Sequence, residues 1–441
     1  MQTYPIESSP ISIRAGDRKS PRLDCTKATF LKTSHKLALI GALYVSEGLP
    51  FGFFTQALPV LLRQSGLSLT QIGFASLLAL PWALKFMWAP MVDHNYSARF
   101  GQRKSWIVPA QLLTAAVLAW TAALSPAHDM ALIFVVVALC NLFAATLDIA
   151  TDALAVRLLS PAERGIGNGV QVAGYRIGMV ISGGLLLIVF EQLGWALSFI
   201  FMACLILLLT VPILLYREPI PQALPPTSKW SWSYFKQPGV MAWLGAILFY
   251  KLGDALGAGM IKPFMVDSGM TLAEIGWLIG TVGFAASLAG ALLGGFLASR
   301  FGHNRSMIAF GLLQVVGIIG YVMLAAGHLP KPLIYAIVTF ENFAGGMATA
   351  AIFTMMMDAC RRGSEGTDYT IQSCVFIIAT GAATVVSGWL AQSFGYTSYF
   401  TLSAVTALIA ITPFVFAALG KGFLALQLNS LEQTEQVAIS R

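Results

Sequence analysis

Charge is scarce in this 441-residue chain. Asp, Glu, Lys and Arg make up 11% of it, where a soluble domain carries about 25%. With 57% hydrophobic residues and a mean hydropathy of +0.74, the sequence excludes a large water-soluble core and reads as a polytopic membrane protein. Cysteine is scarce too. Cys25, Cys140, Cys204, Cys360 and Cys374 are scattered with no C-x-x-C, which points to neither a disulfide framework nor a zinc site. The five histidines (His35, His94, His128, His303, His328) fall in expected loops or tails, on different sides. No H-E-x-x-H, G-x-S-x-G or G-x-x-x-x-G-K-[ST] occurs. An integral-membrane enzyme is therefore a remote reading. No catalytic residue, metal ligand or cofactor is expected, and no nucleotide site. Residues 1–36 are polar and basic with no apolar core ahead of a cleavage site, so they read as a disordered cytoplasmic tail rather than a signal peptide.

What is present is a series of apolar runs. A spanning helix needs about 20 mostly apolar residues. Twelve such runs are expected at 37–62, 70–92, 105–124, 130–156, 166–190, 194–216, 240–264, 272–299, 306–327, 332–359, 368–392 and 397–419. Twelve spans put the even-numbered loops and both tails on one side. That side holds 21 of the 27 Lys and Arg residues; the opposite loops hold only Arg63 and Lys331, and four lie within spans. The positive-inside rule then places both termini in the cytoplasm. The net charge of +7 is spread over all these loops, so it has a topological meaning and gives no support to nucleic-acid binding. The Pro-rich linker 217–239 divides the membrane part into two six-helix units, 37–216 and 240–420, followed by a tail at 421–441.

The two units echo each other. Arg99-Phe-Gly-Gln-Arg-Lys-Ser105 matches Arg300-Phe-Gly-His-Asn-Arg-Ser306, and Ser65-Gly-Leu-Ser-Leu-Thr-Gln-Ile-Gly73 matches Ser268-Gly-Met-Thr-Leu-Ala-Glu-Ile-Gly276. Both pairs fall in equivalent loops at nearly one offset. Parallel six-helix repeats predict an all-α major facilitator architecture with a central site between the units.

In that architecture spans one, four, seven and ten line the cavity. The buried charges collect there: Glu47, Asp148 and Asp152, Lys251 and Asp254, and Glu341. Each costs about 2.5–3.5 kcal/mol at mid-membrane, so each faces protein or water. Asn141, Asp148 and Asp152 form one helical stripe, and Tyr44 and Glu47 form another. Tyr250 and Asp254 are four apart, and Lys251 and Asp254 three apart, close enough to pair. Gly48 and Pro50 are expected to bend or loosen the first span beside Glu47. Glu47, Asp148, Asp152 and Glu341 are the candidate proton carriers. Tyr44, Asn141, Arg176, Tyr250, Lys251, Asp254 and Asn342 are the candidate cavity residues. Arg176 either contacts substrate or neutralises Asp148 or Asp152. Lys85 and Asp93 read as gating or packing residues at the cytoplasmic end of span two, and Met355-Met-Met357 reads as packing.

Several stretches together resemble the AmpG-like branch of the major facilitator superfamily. They are Trp88-Ala-Pro-Met-Val-Asp93 with Phe100-Gly-Gln-Arg-Lys-Ser-Trp106, Asp148-Ile-Ala-Thr-Asp-Ala153, Pro161-Ala-Glu-Arg-Gly165, Gly174-Tyr-Arg-Ile-Gly178, Tyr250-Lys-Leu-Gly-Asp254 and Phe340-Glu-Asn-Phe-Ala-Gly-Gly346. The resemblance covers about residues 37–420. Within that branch, Ala57-Leu-Pro-Val-Leu-Leu-Arg63, Leu80-Pro-Trp-Ala-Leu-Lys-Phe86 and Ser105-Trp-Ile-Val-Pro-Ala-Gln111 look closest to RhtX/FptX-type importers of ferric siderophores. The resemblance implies a monomeric proton symporter of the bacterial inner membrane, with a gating loop containing Asp93, Gly101, Arg103 and Lys104. Its implied cargo is a ferric siderophore, alternatively an anhydro-muropeptide or another bulky polar solute. Its partners would be that solute, protons and the lipid bilayer.

Overall fold

A computed structural model describes residues 32–58, 78, 80–97, 99–125, 128–218, 232–327, 330–361 and 363–418. The first repeat of the Ser65–Gly73 pair, Arg63, the start of the second expected span, most of the N-terminal tail, much of the linker and the 421–441 tail lie outside them. All regular structure among the described residues is helical: α1 (Thr33–Gly52), α2 (Leu80–Leu84), α3 (Ala89–His94), α4 (Lys104–Thr121), α5 (Met130–Leu158), α6 (Pro161–Val180), α7 (Leu186–Leu215), α8 (Trp232–Phe235), α9 (Val240–Asp267), α10 (Leu272–Ile275), α11 (Phe284–Phe301), α12 (His303–Ala326), α13 (Lys331–Asp358) and α14 (Glu365–Ala418). Eight of the helical stretches are long and apolar enough to cross a membrane.

Local chemistry sets the boundaries. Ser160 and Glu163 form a capping box with Pro161 at the first turn, which fixes the start of α6. Glycines break two long helices. Gly194 interrupts α7 and Gly395 interrupts α14, each at φ 75°, a conformation a side chain disfavours. They are 201 residues apart. So are Gly101 and Gly302, at φ 98° and 88°. The hydroxyls of Ser105 and Ser306 donate to the carbonyls of these two glycines, at 2.6 and 2.9 Å. The repeat seen in sequence is thus a repeat of backbone conformation, and it extends to a pair of turns that carries no shared motif.

The expected bend at Gly48 and Pro50 is not what forms. α1 stays helical through Pro50, and the irregularity comes one turn later as a π-turn at Phe53–Ala57. Gly48 serves close approach instead: a Cβ there would strike the Tyr175 carbonyl of α6. The second expected span is also not one helix. Its described part is α2, a 3-10 turn at Lys85–Met87, and α3, with Pro81 and Pro90 on either side of the turn.

The helix ends that carry Arg103, Lys104, Arg157, Arg164, Arg300, Arg305 and Arg361 form one basic end of the molecule. Towards it, N-terminal and C-terminal helices share one apolar core, in which Ile40, Tyr44 and Ala155 meet Tyr250, Met347, Met355 and Tyr369. Met355, Met356 and Met357 are packing, as expected. Other clusters are separate: Leu49, Phe53, Val136 and Phe199 in one group, Leu256, Phe264, Tyr321 and Phe400 in the other.

Candidate functional site

Three polar constellations stand out, two in the helix interior and one at the basic end. The first is built by α1, α5 and the broken second segment. Tyr44 Oη donates to Asp152 Oδ1 at 2.6 Å, and Gln171 Nε2 from α6 approaches the same oxygen at 3.3 Å and Tyr369 Oη at 3.4 Å. Lys85 pairs with Asp148, its ammonium 5.8 Å from the centre of the Trp82 ring. Trp82 Nε1 donates to Asn141 Oδ1 at 3.1 Å. Glu47 is fully buried, with Asp148 and Asp152 as charged neighbours; its carboxyl lies within hydrogen-bond reach of the Asp148 carboxyl, and neither of its oxygens meets an N–H or hydroxyl donor. Three carboxyl groups therefore surround one ammonium. Helical spacing had put Asp148 and Asp152 on one face and Tyr44 and Glu47 on another, and the expected architecture, with spans one and four lining one cavity, had brought the two faces together. It did not place Lys85, which was expected at the gate. The 3-10 turn directs that side chain to Asp148 and buries it.

The second constellation belongs to α9, α12 and α13. Lys251 pairs with Asp254, as the three-residue spacing predicted, and donates to Thr349 Oγ1 at 3.2 Å. Tyr321 Oη donates to Glu341 Oε2 at 2.7 Å. Gly345 borders both carboxyls: a Cβ there would lie 3.6 Å from Asp254 Oδ1 and 3.8 Å from Glu341 Oε1. The charges acting on Arg176 of α6 are Asp254 and Glu341, not Asp148 or Asp152 as the sequence suggested.

Two expected cavity residues turn elsewhere. Tyr250 Oη donates to the Met307 carbonyl at 3.1 Å and its ring packs on Phe414. Long side chains lean toward a helix N-terminus, which carries this ring to the first turn of α12. Asn342 donates to the Val338 carbonyl of its own helix at 2.9 Å and lies beside Gly283.

Replacing Lys251 or Asp254 alone with Ala should cut transport or abundance at least about tenfold, because the survivor is a buried lone charge, a defect of about 3–5 kcal/mol. The double Ala variant should recover part of that loss in the same uptake and immunoblot assay. A double variant no better than the worse single one would assign the two residues separate roles.

The third constellation closes the basic end. The Arg103 guanidinium is buried between Asp93 Oδ1 at 2.5 Å and Glu365 Oε2 at 2.9 Å. Burial alone would favour its neutral form, but the carboxylates of Asp93, Glu365 and Glu218 hold it charged. Asp93 also caps α14: its oxygens accept from Gly366 N (3.1 Å), Thr367 N (2.7 Å) and Thr367 Oγ1 (2.5 Å). A carboxylate at a helix N-terminus meets unpaired amides and the positive end of the dipole. Glu218, from the linker, accepts from the amides of Arg103 and Lys104 and lies against Gly101, while Lys104 Nζ donates to the Leu214 and Tyr216 carbonyls that end α7. Arg164 joins Asp358 at 2.7 Å, and His303 also pairs with Asp358. Glu163 tethers the start of α1 through Lys36 (2.7 Å) and Thr33 (2.6 Å). Partial burial pushes its carboxyl up, but these bonds and those from Ser160 outweigh that and hold it at about 2. Among the described residues, every ion pair joining N-terminal to C-terminal helices lies at this end. Asp93, Gly101, Arg103 and Lys104, the residues expected in a gating loop, are thus brought together. Glu218, Glu365 and Thr367 were not foreseen, because their partners lie more than 100 residues away in sequence.

Residues 36–135 match the family model described as acetyl-coenzyme A transporter 1, and residues 252–423 match that of the major facilitator superfamily. The anhydromuropeptide permease of Escherichia coli K12 is 30% identical over 384 residues, covering 84% of this chain and 77% of that protein. A putative transporter AmpG 4 of Rickettsia conorii is 28% identical and covers 87% of this chain and 97% of its own length. The fold is that of a major facilitator: the FucP transporter in the outward conformation superposes with a TM-score of 0.66 at 17% identity, over 86% of this chain and 98% of that one. A bacterial homologue of the iron transporter ferroportin gives 0.65 at 18% identity, over 87% and 99%. These relatives are permeases and transporters of the AmpG type, and the siderophore-importer resemblance of the sequence motifs finds no support among them.

Proposed function

This chain belongs to the family of the AmpG-type permeases within the major facilitator superfamily, and from that premise we propose that it imports anhydro-muropeptides across the bacterial inner membrane, coupled to protons, by alternating access. Residues 37–216 and 240–420 act as the two six-helix units, joined by linker 217–239. The twelve-span count follows if Gly194 and Gly395 are turns at the membrane surface rather than kinks within it, which their common conformation and 201-residue separation support. The basic end is then cytoplasmic.

The observation that carries the coupled-transport reading is the trio of Glu47, Asp148 and Asp152 around the single ammonium of Lys85. Two negative charges are left without a cation in a helix interior, and protons are the simplest neutraliser. The Asp93–Arg103–Glu365–Thr367 latch holds the cytoplasmic side shut in this conformation, and its opening, with closure opposite, moves cargo inward. Ferric siderophore import is set aside, because the matching relatives point to the muropeptide class.

Two experiments test this. Right-side-out vesicles should accumulate labelled anhydro-muropeptide when the outside is acidified and fail to do so with a protonophore; no uptake of this solute under a verified gradient refutes the reading. In a background lacking the five native cysteines, Ser125→Cys and Ser393→Cys should react with an impermeant maleimide added to intact cells, while Ser228→Cys should not. Labelling of Ser228→Cys from outside would reverse the orientation.

A further inference from the structure

We propose that Arg176 anchors a carboxylate of the cargo, a statement that rests on the permease reading above. Arg176 continues the stripe of α6 that faces the C-terminal helices: Gly165 and Gly169 approach Gly295 and Ala291, and Val172 packs with Ala291 and Ala350. It is only partly buried, and among the described residues its guanidinium makes no hydrogen bond and no ion pair. Five N–H donors in a planar fork are therefore on offer inside the helix bundle.

The nearby carboxyls do not fill that fork. Asp254 is engaged by Lys251, and Glu341 accepts from Tyr321. They act on Arg176 through their charge and leave its donors free. Lys251, Arg176, Asp254 and Glu341 make two cations and two carboxyls, a set with no standing excess. An arriving carboxylate adds one negative charge, which one proton would offset. That is the bookkeeping an acid–proton symport requires. Gly345 brings the backbone of α13 up to this set: a Cβ there would touch Gln314, Asp254 and Glu341 at 3.5, 3.6 and 3.8 Å. A solute that carries a carboxylate matches the open fork of Arg176.

Calorimetric titration of the purified protein in nanodiscs tests this, with anhydro-muropeptide and with the same compound amidated at its carboxyls. The native protein should bind the acid about ten- to a hundredfold more tightly, the range for a charge-assisted, two-pronged contact. Arg176→Gln should remove the preference by weakening the acid alone. Arg176→Lys should keep part of it, since a point charge lacks the fork. Should Arg176→Gln fail to fold, the native and Lys comparison decides. Equal binding of acid and amide by the native protein, or an unchanged preference in Arg176→Gln, overturns the anchor while leaving the permease reading intact. Arg176→Gln weakening both compounds alike would show that Arg176 only balances Asp254 and Glu341. Native protein that binds neither compound overturns the permease reading, and the anchor with it.

Discussion

Asp93→Ala should unlatch the cytoplasmic side. Its carboxylate satisfies Arg103 and three donors in the first turn of α14 at once, from the opposite group of helices. Without it, a fully buried guanidinium keeps, among the described residues, only Glu365 within ion-pair distance, and the start of α14 loses its cap. Removing one member of a buried pair costs about 3–5 kcal/mol, and a lost cap adds about 1 kcal/mol. The penalty falls on the latched state alone, because water can reach these groups once the ends part. The latched-to-open ratio should therefore drop by about a hundredfold or more. Asn168 reports the change: it is fully buried at the same end, 3.2 Å from the Met357 sulfur of the opposite helices. In the cysteine-free background, Asn168→Cys should react with a hydrophilic maleimide at least about tenfold faster when Asp93→Ala is added. Asp93→Asn, which keeps one acceptor oxygen, should fall between. Equal alkylation rates in all three backgrounds would show that other contacts hold this end.

Much of this was legible beforehand because membrane burial makes charge informative. Few residues other than charged ones carry so high a cost in an apolar run, so Glu47, Asp148, Asp152, Lys251, Asp254 and Glu341 announced themselves; helical spacing paired Asp148 with Asp152, and the expected architecture brought Glu47 to them. Neutral polar residues carry no such mark. Tyr321, Tyr369 and Gln171 complete the clusters yet look like ordinary members of apolar helices. Lys85 was misplaced because its position depends on a short 3-10 turn between two prolines, and a regular-helix reading aims it elsewhere. Tyr250 was misread because spacing gives the direction of a Cβ, while a long ring reaches toward the preceding turn. The partners of the latch were invisible for a different reason. Arg103 and Glu365 are 262 residues apart, and only the fold brings them together.

Glu47→Gln should abolish gradient-driven accumulation and spare exchange. The two Glu47 oxygens meet no N–H or hydroxyl donor, the charged groups around them are Asp148, Asp152 and Lys85, and the Asp148 carboxyl lies close enough to share a proton with Glu47. Lys85 is already paired with Asp148, and Asp152 already accepts from Tyr44 and Gln171. Glu47 is thus the member of the trio whose charge is least compensated by the protein, and the one whose state a proton would change most. An ionised Glu47 in this closed setting would cost several kcal/mol. A proton removes that cost, and loss of the proton becomes possible only where water enters. Binding and release of one proton would then track which side of the bundle is open, which is the condition for coupling. Glutamine reproduces the size of the protonated acid and cannot release a proton. The variant should bind anhydro-muropeptide within about threefold of the native affinity, since no cargo contact is lost. It should exchange internal for external solute when both sides are loaded. Accumulation against a gradient should fall to the level seen with a protonophore. Glu47→Asp should restore part of it, because the shorter acid still titrates. Undiminished accumulation in Glu47→Gln, at native protein levels under an imposed pH gradient, would move the coupling role to Asp148, Asp152 or Glu341. A simultaneous loss of exchange would instead mean that Glu47 holds the helices together rather than carrying the proton.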